Sequence, residues 1–213
     1  MSDVKQNIAV IDYGAGNINS VVNAFTVLGA HVFIASSPQQ LSGADRIVMP
    51  GVGAFGRGIA HLKEGGWIPP LEREVLDKKK PFIGICLGMQ LLAGRSFELG
   101  EHEGLNWIKG SVERLGEHGL RIPHIGWNDV RFKSAQDLFD SFEGPKDFYF
   151  VHSYVFKPED PDIVIATCNY GEEFTAAIQK DNIFAVQFHP EKSHKFGLKV
   201  LENFLKIKSK CAC

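Results

Sequence analysis

Several features are missing from this sequence of 213 residues, and each absence excludes a class of protein. No apolar run approaches the roughly 20 residues that a membrane-spanning helix needs. The formal net charge of -2 gives no basic surface for nucleic acid. The first residues, MSDVKQNIAVIDYG, lack the basic, apolar and small-residue order of a signal peptide. We therefore expect a cytoplasmic protein that binds neither nucleic acid nor membrane.

Cysteine is also scarce. The chain has four cysteines, too few for a disulfide scaffold in a protein of this length. Two of them, Cys211 and Cys213, form a CxC pair at the end of the sequence, where we expect a frayed tail with free thiols. A metal site needs further ligands close by, and none is apparent, so we predict no metal. No other pattern in the sequence indicates a cofactor site, so we predict no cofactor.

The first half of the chain alternates strands with helices. Short apolar runs, rich in β-branched residues, predict strands at 7–12, 31–36, 46–51 and 81–86. Helical spacing covers 18–29, an interrupted stretch of roughly 56–79, and the LGMQLLAG run that begins at residue 87. Nearly continuous apolar strands that alternate with helices are typical of a parallel sheet covered on both faces.

The second half has a different texture. Its strand candidates are short and separated by turn residues, which favours a more antiparallel section: SVERL, HIGWNDVRF, FYFVHSYVF, DIVIATCNY, FTAAIQ and IFAVQF. The last segment, 193–208, places its apolar residues on one helical face and predicts a closing helix, with Ser193 as its candidate N-cap. The chain shows no repeat or linker, so we expect a single α/β domain over residues 1–213.

One cysteine lies in a pattern that suggests chemistry. In GICLGMQ, residues 84–90, Cys86 lies between Gly84 and Gly88, after an apolar run and before a helical one. This pattern matches the strand-to-helix nucleophile elbow, with sulfur in place of oxygen. Such a turn lifts the side chain into a cleft, and the free N–H groups of a helix start favour a thiolate. The alternative is an inert buried cysteine.

A thiolate nucleophile needs a base, and His189 in FAVQFHPEKS is the best candidate. It follows a predicted strand at the carboxyl end, where open α/β sheets place their sites. Pro190 favours an extended backbone at His189, and Glu191 two residues on would share its face. Cys86, His189 and Glu191 would then be nucleophile, base and orienting residue. Acyl transfer also needs oxyanion donors, which the PGVG turn at 50–53 and the N–H of Leu87 could supply.

These stretches together resemble a known family. PGVG, GICLGMQ and FHPE, in this order and with these separations, resemble the class I glutamine amidotransferases over almost the whole chain. DYGAGN, PHIGWN, FYFVHSY, CNYGEEFTAA and QFHPEKS are most similar to the glutaminase subunits of imidazole glycerol phosphate synthases. The resemblance implies a flavodoxin-like fold, with a central mostly parallel sheet flanked by helices and a more antiparallel section in the second half.

The resemblance also implies residue roles. Cys86 would attack the side-chain amide of glutamine, His189 would pass a proton to the leaving ammonia, and Glu191 would position His189. The backbone N–H groups of Val52 and Leu87 would hold the oxyanion, in a loop that rearranges in some members of the family. The positions that would bind glutamine are Gly51, Gly53, Gln90, Glu98, Ser153 and Tyr154.

A partner is expected because no P-loop or acceptor-binding pattern occurs, so the ammonia must be used elsewhere. In the family this partner is the (β/α)₈-barrel cyclase subunit of imidazole glycerol phosphate synthase, which forms a heterodimer with the glutaminase. The interface positions map onto Asn17, Trp127, Tyr149 and Lys192. Without the resemblance, Tyr149 would be a core aromatic and Lys192 a solvated charge, whereas Trp127 is open between core and interface.

Three alternatives stay open at this point. A paralogous glutaminase of the same family delivers ammonia for amidation of a surface-polysaccharide sugar, and the quoted motifs do not separate it from the histidine-pathway enzyme. A non-catalytic binding or regulatory protein could keep the fold, although such proteins usually lose the cysteine, histidine or glutamate. A cysteine hydrolase of related fold fits the FHPE and FVHSY stretches less well.

Overall fold

The structure of the chain, a computed structural model, describes residues 6–133 and 137–208. Its strands, in chain order, are β1 (Asn7–Ile11), β2 (His31–Ala35), β3 (Arg46–Gly51), β4 (Phe82–Cys86), β5 (Arg95–Ser96), β6 (His102–Glu103), β7 (Gly110–Arg114), β8 (His124–Phe132), β9 (Lys146–His152), β10 (Tyr154–Pro158), β11 (Val164–Tyr170), β12 (Glu172–Lys180) and β13 (Ile183–Val186). Its α-helices are α1 (Ile18–Val27), α2 (Phe55–Glu64), α3 (Ile68–Leu71), α4 (Leu87–Gln90) and α5 (His194–Lys206). A π-helical segment, Glu72–Asp77, continues α3. The CxC pair of the predicted tail lies outside the described residues.

The larger sheet has the strand order β2-β1-β3-β4-β13-β12-β11-β8-β9. Its strands from β2 to β13 pair in parallel, and those from β13 to β9 pair antiparallel. This arrangement confirms the predicted α/β fold with a parallel section followed by an antiparallel one. The carboxyl ends of β3, β4 and β13 meet at one edge, because Gly51 is level with Cys86 and Val186 is level with Ile85.

A smaller sheet, in the order β10-β7-β5-β6, lies beside the larger one. The FYFVHSYVF run, which the sequence predicts as a single strand, is divided between the two sheets. β9 pairs with β8 in the larger sheet and β10 with β7 in the smaller one. The chain changes sheets at Ser153, whose carbonyl accepts a hydrogen bond from the N–H of Leu115 at 2.9 Å.

The helix after Cys86 is shorter than the sequence predicts. The LGMQLLAG run is helical only as far as Gln90. Beyond it, the carbonyls of Leu91 and Leu92 accept hydrogen bonds from the N–H groups of Leu105 and Ile108, at 2.9 and 3.1 Å. Because these carbonyls are used by a distant segment, the helix does not continue.

The parallel strands are buried on both faces, as their continuous apolar sequences predict. In β1, Ala9 and Ile11 pack into one apolar cluster while Ile8 and Val10 pack into the other. Full burial of each large apolar side chain contributes roughly 1.5–3 kcal/mol, so the two clusters fix the edge at which Cys86 lies. None of the helices among the described residues is long and apolar enough to cross a membrane.

Candidate active site

Cys86 occupies a sharp turn between β4 and α4. Its φ is 55° and its ψ is -109°, a combination that costs energy for any residue with a side chain. The flanking glycines allow the close packing around this turn. A Cβ at Gly84 would lie 2.6 Å from the carbonyl oxygen of Gly88, and a Cβ at Gly88 would lie 1.9 Å from the carbonyl oxygen of Met49. The elbow predicted from the glycine spacing is therefore present in the structure.

His189 and Glu191 form a buried pair. The Nδ1 atom of His189 lies 2.8 Å from Oε1 of Glu191, and both side chains are only 2% exposed. The sequence predicted this contact from an extended backbone. His189 itself is extended, as predicted, but the extended segment does not continue to Glu191. Residues Pro190–Lys192 form a turn of 3-10 helix, and this turn brings the carboxylate back to the ring.

The charge on His189 is set by its two neighbours. Burial lowers the pKa of His189, but interactions with the Cys86 sulfur and the Glu191 carboxylate outweigh burial and raise that pKa to about 9. Because Nδ1 is occupied by Glu191, only Nε2 remains for chemistry, and Nε2 has no hydrogen-bond partner among the described residues. The raised pKa favours the protonated form of the ring, in which Nε2 is the nitrogen with a proton to donate.

Most of the other predicted positions border one cavity of about 170 Å³. This volume is below the range of drug-sized sites and suits a small metabolite. The cavity is lined by Val52, Gly53, Cys86, Leu87, Gln90, Glu98, Val151, His152, Ser153 and Tyr154. Gly51 is buried and is not among the lining residues. The sequence therefore predicted most of the lining, but not Val151 or His152.

Glu98 is held at the cavity by the start of a helix. One carboxylate oxygen accepts a hydrogen bond from the N–H of Phe55 at 2.6 Å, and Phe55 is the first residue of α2. A carboxylate is favoured there because the N–H groups at a helix start are unpaired and carry partial positive charge. This contact explains why an irregular segment such as RSFELG can hold a fixed position.

Two polar residues near Cys86 were not predicted. Burial raises the pKa of the Tyr13 hydroxyl, and the neighbouring Cys86 raises it further; a Cβ at Gly51 would lie 2.5 Å from that hydroxyl oxygen. Gln187 lies with its Nε2 atom 3.7 Å from the Cys86 sulfur. Both lie in stretches that carry the resemblance, DYGAGN and QFHPEKS, and each follows, directly or nearly, a strand that ends at this edge.

The predicted interface residues form a partly exposed cluster, apart from Asn17. Trp127 is 47% exposed, its ring stacks on His194 with centroids 4.9 Å apart, and it meets Tyr149 edge to face at 5.9 Å. The Lys192 ammonium lies 5.8 Å from the centre of the Tyr149 ring. Trp127 and Tyr149 are thus not core aromatics. Asn17 is exposed at the residue before α1.

Ser193 connects this cluster to His189. The Ser193 hydroxyl donates to the carbonyl of His189 at 2.6 Å and accepts from the N–H of Tyr149 at 3.0 Å. The N–H of His189 in turn donates to the carbonyl of Tyr149 at 2.9 Å. Ser193 is the N-cap residue of α5, as predicted, but its side chain makes no capping hydrogen bond, because its hydroxyl holds the His189 backbone against β9.

Comparison with known proteins places this chain in a family. The sequence model named glutamine amidotransferase class-I matches residues 9–207. The chain belongs to this family. This membership agrees with the elbow cysteine and the buried histidine–glutamate pair, and it confirms the resemblance that the motifs predicted.

Several curated relatives of this amidotransferase are similar over nearly their full length. The imidazole glycerol phosphate synthase subunit HisH 1 of Campylobacter jejuni (strain RM1221) is 49% identical over 94% of this chain and 100% of its own. The subunit HisH of Geobacter sulfurreducens is 45% identical over 94% of this chain and 99% of its own.

Solved structures share the fold at low identity. The structure of PurLQS from Thermotoga maritima matches with a TM-score of 0.76 and 19% identity, over 95% of this chain and 99% of that one. A glutamine amidotransferase from Thermotoga maritima matches with a TM-score of 0.63 and 20% identity, over 94% of this chain and 83% of that one. At these identities the likeness bears on the fold alone.

Proposed function

We propose that this amidotransferase is the glutaminase subunit of an imidazole glycerol phosphate synthase. In this proposal it hydrolyses glutamine to glutamate and ammonia and passes the ammonia to a barrel cyclase subunit. The observation that carries the proposal is the strained Cys86 turn at the edge of one small cavity, with the buried His189–Glu191 pair close enough to the sulfur for Cys86 to raise the pKa of His189.

The first half of the reaction forms a thioester. The Cys86 sulfur attacks the side-chain carbonyl carbon of glutamine, and the carbonyl oxygen becomes negative. The N–H groups of Val52 and Leu87, which both border the cavity, are the proposed donors to that oxygen. The His189 imidazolium then gives its Nε2 proton to the amide nitrogen, the carbon–nitrogen bond breaks, and ammonia leaves.

The second half releases glutamate. His189, now neutral, takes a proton from a water molecule that attacks the thioester carbon. The carbon–sulfur bond breaks, glutamate departs, and the thiolate and imidazolium are restored. Throughout, Glu191 holds Nδ1 at 2.8 Å, so the ring keeps Nε2 available and its positive charge is stabilised.

Gln90 and Glu98 are suited to bind the ammonium group of the substrate. Gln90 uses its Nε2 hydrogens on the Tyr154 carbonyl at 2.9 Å and on Gln187 Oε1 at 3.0 Å. Its Oε1 is therefore the atom left for a ligand, so Gln90 accepts hydrogen bonds in the cavity. One carboxylate oxygen of Glu98 accepts a hydrogen bond from the N–H of Phe55. The other oxygen adds negative charge to the cavity. Both groups complement a cation.

The cluster of Trp127, Tyr149 and Lys192 supports the proposal that a partner binds on the side of the molecule where the cavity opens. Large partly exposed aromatics next to a cation are typical of interface centres. Val52 is 42% exposed, so its loop is open to solvent when the chain is alone. We propose that the partner covers both the cluster and the Val52 loop. Its binding favours the loop conformation in which the Val52 N–H holds the oxyanion.

The test is glutamate release from glutamine. We compare the chain alone, the chain with the barrel cyclase, and that mixture with the cyclase's ribonucleotide substrate. A large rise in the full mixture, lost in Cys86→Ala while ammonia-dependent synthesis persists, supports the proposal. Glutamine use that survives Cys86→Ala refutes the nucleophile. A folded chain that the cyclase does not activate contradicts the pathway and favours the sugar-amidation paralogue or a binding protein.

A further inference from the structure

A buried amide touches the sulfur on which the proposed function depends. Gln187 follows β13 directly and has no solvent exposure. Its Nε2 group lies 3.7 Å from the Cys86 sulfur in donor geometry. Gln187 is not among the residues that line the cavity. An N–H group that donates to an anionic acceptor stabilises the anion.

The orientation of this amide is determined by its other neighbour. Gln90 Nε2 faces the main-chain carbonyl of Tyr154, which only accepts, at 2.9 Å. The same nitrogen lies 3.0 Å from Gln187. Because a donor needs an acceptor, Gln187 must present Oε1 to Gln90. Its nitrogen is then directed at Cys86.

The Tyr154 carbonyl also ends a second series of hydrogen bonds, which fixes the tautomers of two histidines. His152 Nδ1 lies 3.1 Å from that carbonyl, so Nδ1 carries the hydrogen and Nε2 accepts. His124 Nδ1 lies 3.0 Å from His152 Nε2, so His124 donates there. His124 Nε2 then accepts from Asn128 Nδ2, at 3.3 Å.

Asn128 gives the same direction from the opposite end. Its Nδ2 also donates to the Asn169 carbonyl at 2.9 Å, and its Oδ1 accepts from the N–H of Asp129 at 2.9 Å. The amide orientation is thus set by main-chain groups. The two ends of the series agree, and every ring nitrogen in it has one role.

Both histidines carry hydrogen bonds rather than charge at neutral pH. Burial lowers the pKa of His124 to about 4. Burial, with His124 beside it, lowers the pKa of His152 to about 3. Neutral rings keep one donor and one acceptor nitrogen each, which the series requires.

We infer that Gln187 is a positioning residue for the Cys86 sulfur. The Tyr154 carbonyl, through Gln90, sets the orientation of the Gln187 amide, and the series Asn128–His124–His152 holds that carbonyl in place. The inference rests on the proposed nucleophilic role of Cys86. The series begins next to the exposed Trp127 on β8.

The pH dependence of the sulfur has other contributors, which the experiment must hold constant. The titratable groups that face the sulfur or border its cavity are His189, Tyr13, Glu98, His152 and Tyr154. The variants used in the experiment leave all of them unchanged.

The first experiment replaces Gln187 by methionine, which keeps a flexible side chain of similar length and removes the donor. Alkylation of Cys86 by iodoacetamide is followed against pH, with the Cys86 peptide quantified by mass spectrometry because other thiols also react. We expect the midpoint to move to higher pH and the rate at pH 7 to fall about tenfold, since bonds to charged groups are worth roughly that factor. In the complex, kcat for glutamine should fall and KM should stay within about twofold.

A matched pair at His124 tests the series and covers a failure of Gln187→Met to fold. His124→Asn keeps an N–H on the atom attached to Cγ, whereas His124→Leu removes it. We expect His124→Leu to shift the alkylation midpoint to higher pH, as Gln187→Met does. We expect the midpoint of His124→Asn to stay near that of the unmodified chain. Urea midpoints and circular dichroism establish that each variant is folded.

Each outcome is decisive. A folded Gln187→Met with an unchanged alkylation profile overturns the positioning role. If that variant does not fold, identical profiles for both His124 variants and the unmodified chain overturn the inference. Failure of the proposed function is separate, because glutamine hydrolysis that persists in Cys86→Ala would remove the nucleophile and leave the alkylation result standing.

Discussion

Replacement of Cys86 by glycine should give a more stable protein than replacement by alanine. Both variants lack the sulfur and differ by one methyl group, so their comparison isolates the backbone. Cys86 has a φ of 55° and a ψ of -109°. Strain of this kind costs about 1–3 kcal/mol per residue, and it persists in the alanine variant because alanine also has a Cβ.

Glycine removes the strain but has costs of its own. It loses about 0.5–1 kcal/mol more conformational entropy than alanine on folding, and it gives up the small buried surface of one methyl group. The difference leaves a free energy of unfolding about 1 kcal/mol higher for Cys86→Gly than for Cys86→Ala. In a chain of this size that corresponds to a midpoint about 2–4 °C higher.

The assay is urea denaturation of both variants, with thermal unfolding as a second measure. Ala176→Gly is the matched control, because Ala176 is buried in the interior of β12 and its φ is not positive. There the same exchange should lower stability by about 1 kcal/mol or more. If Cys86→Ala equals or exceeds Cys86→Gly in stability, the elbow stores no strain and the reasoning fails.

Two pH experiments follow from the histidines. Glu191→Gln should lower the pKa of His189, because the carboxylate helps to raise it to about 9. The alkaline limb of the pH profile of kcat/KM for glutamine should therefore move to lower pH. An unmoved limb would contradict the proposed imidazolium. The folded state also resists protonation of His124 and His152, whose pKa values are about 4 and about 3, whereas the unfolded chain takes up those protons below about pH 6.5. His189 acts in the opposite sense because its pKa is raised to about 9, but its contribution to this pH dependence fades below about pH 6.5, where the unfolded chain also protonates it. The free energy of unfolding should therefore fall as pH drops from 6.5 to 5.5, with a slope of about 1–2 kcal/mol per pH unit. His124→Gln should reduce that slope, and an equal slope in the variant would be evidence against a buried neutral pair.

The parts of the site that the sequence predicts are those encoded by local spacing. Gly84 and Gly88 identify the elbow because only residues without a Cβ tolerate the contacts of that turn. The pairing of His189 with Glu191 was also predictable. The extended backbone expected at His189 is present, but the chain then turns at Pro190–Lys192, and this turn brings the carboxylate to the ring. The strands followed from runs of apolar residues.

The parts that escaped prediction depend on distant neighbours. Alternation in FYFVHSYVF continues unbroken through Ser153, and nothing local shows that the strand changes sheets there. Gln187 is separated from Cys86 by 101 positions, so its contact with the sulfur exists only in the folded chain. His152 gave no sign that its ring would meet His124.

The change of sheet at Ser153 also determines how the cavity responds to deformation. β9 belongs to one sheet and β10 to the other, and the glutamine-sized space lies at the point where they separate. Its width therefore depends on the relative orientation of the two sheets rather than on one rigid wall. Substitutions on the outer strands of the small sheet, far from any reacting atom, should alter the affinity of the cavity for glutamine.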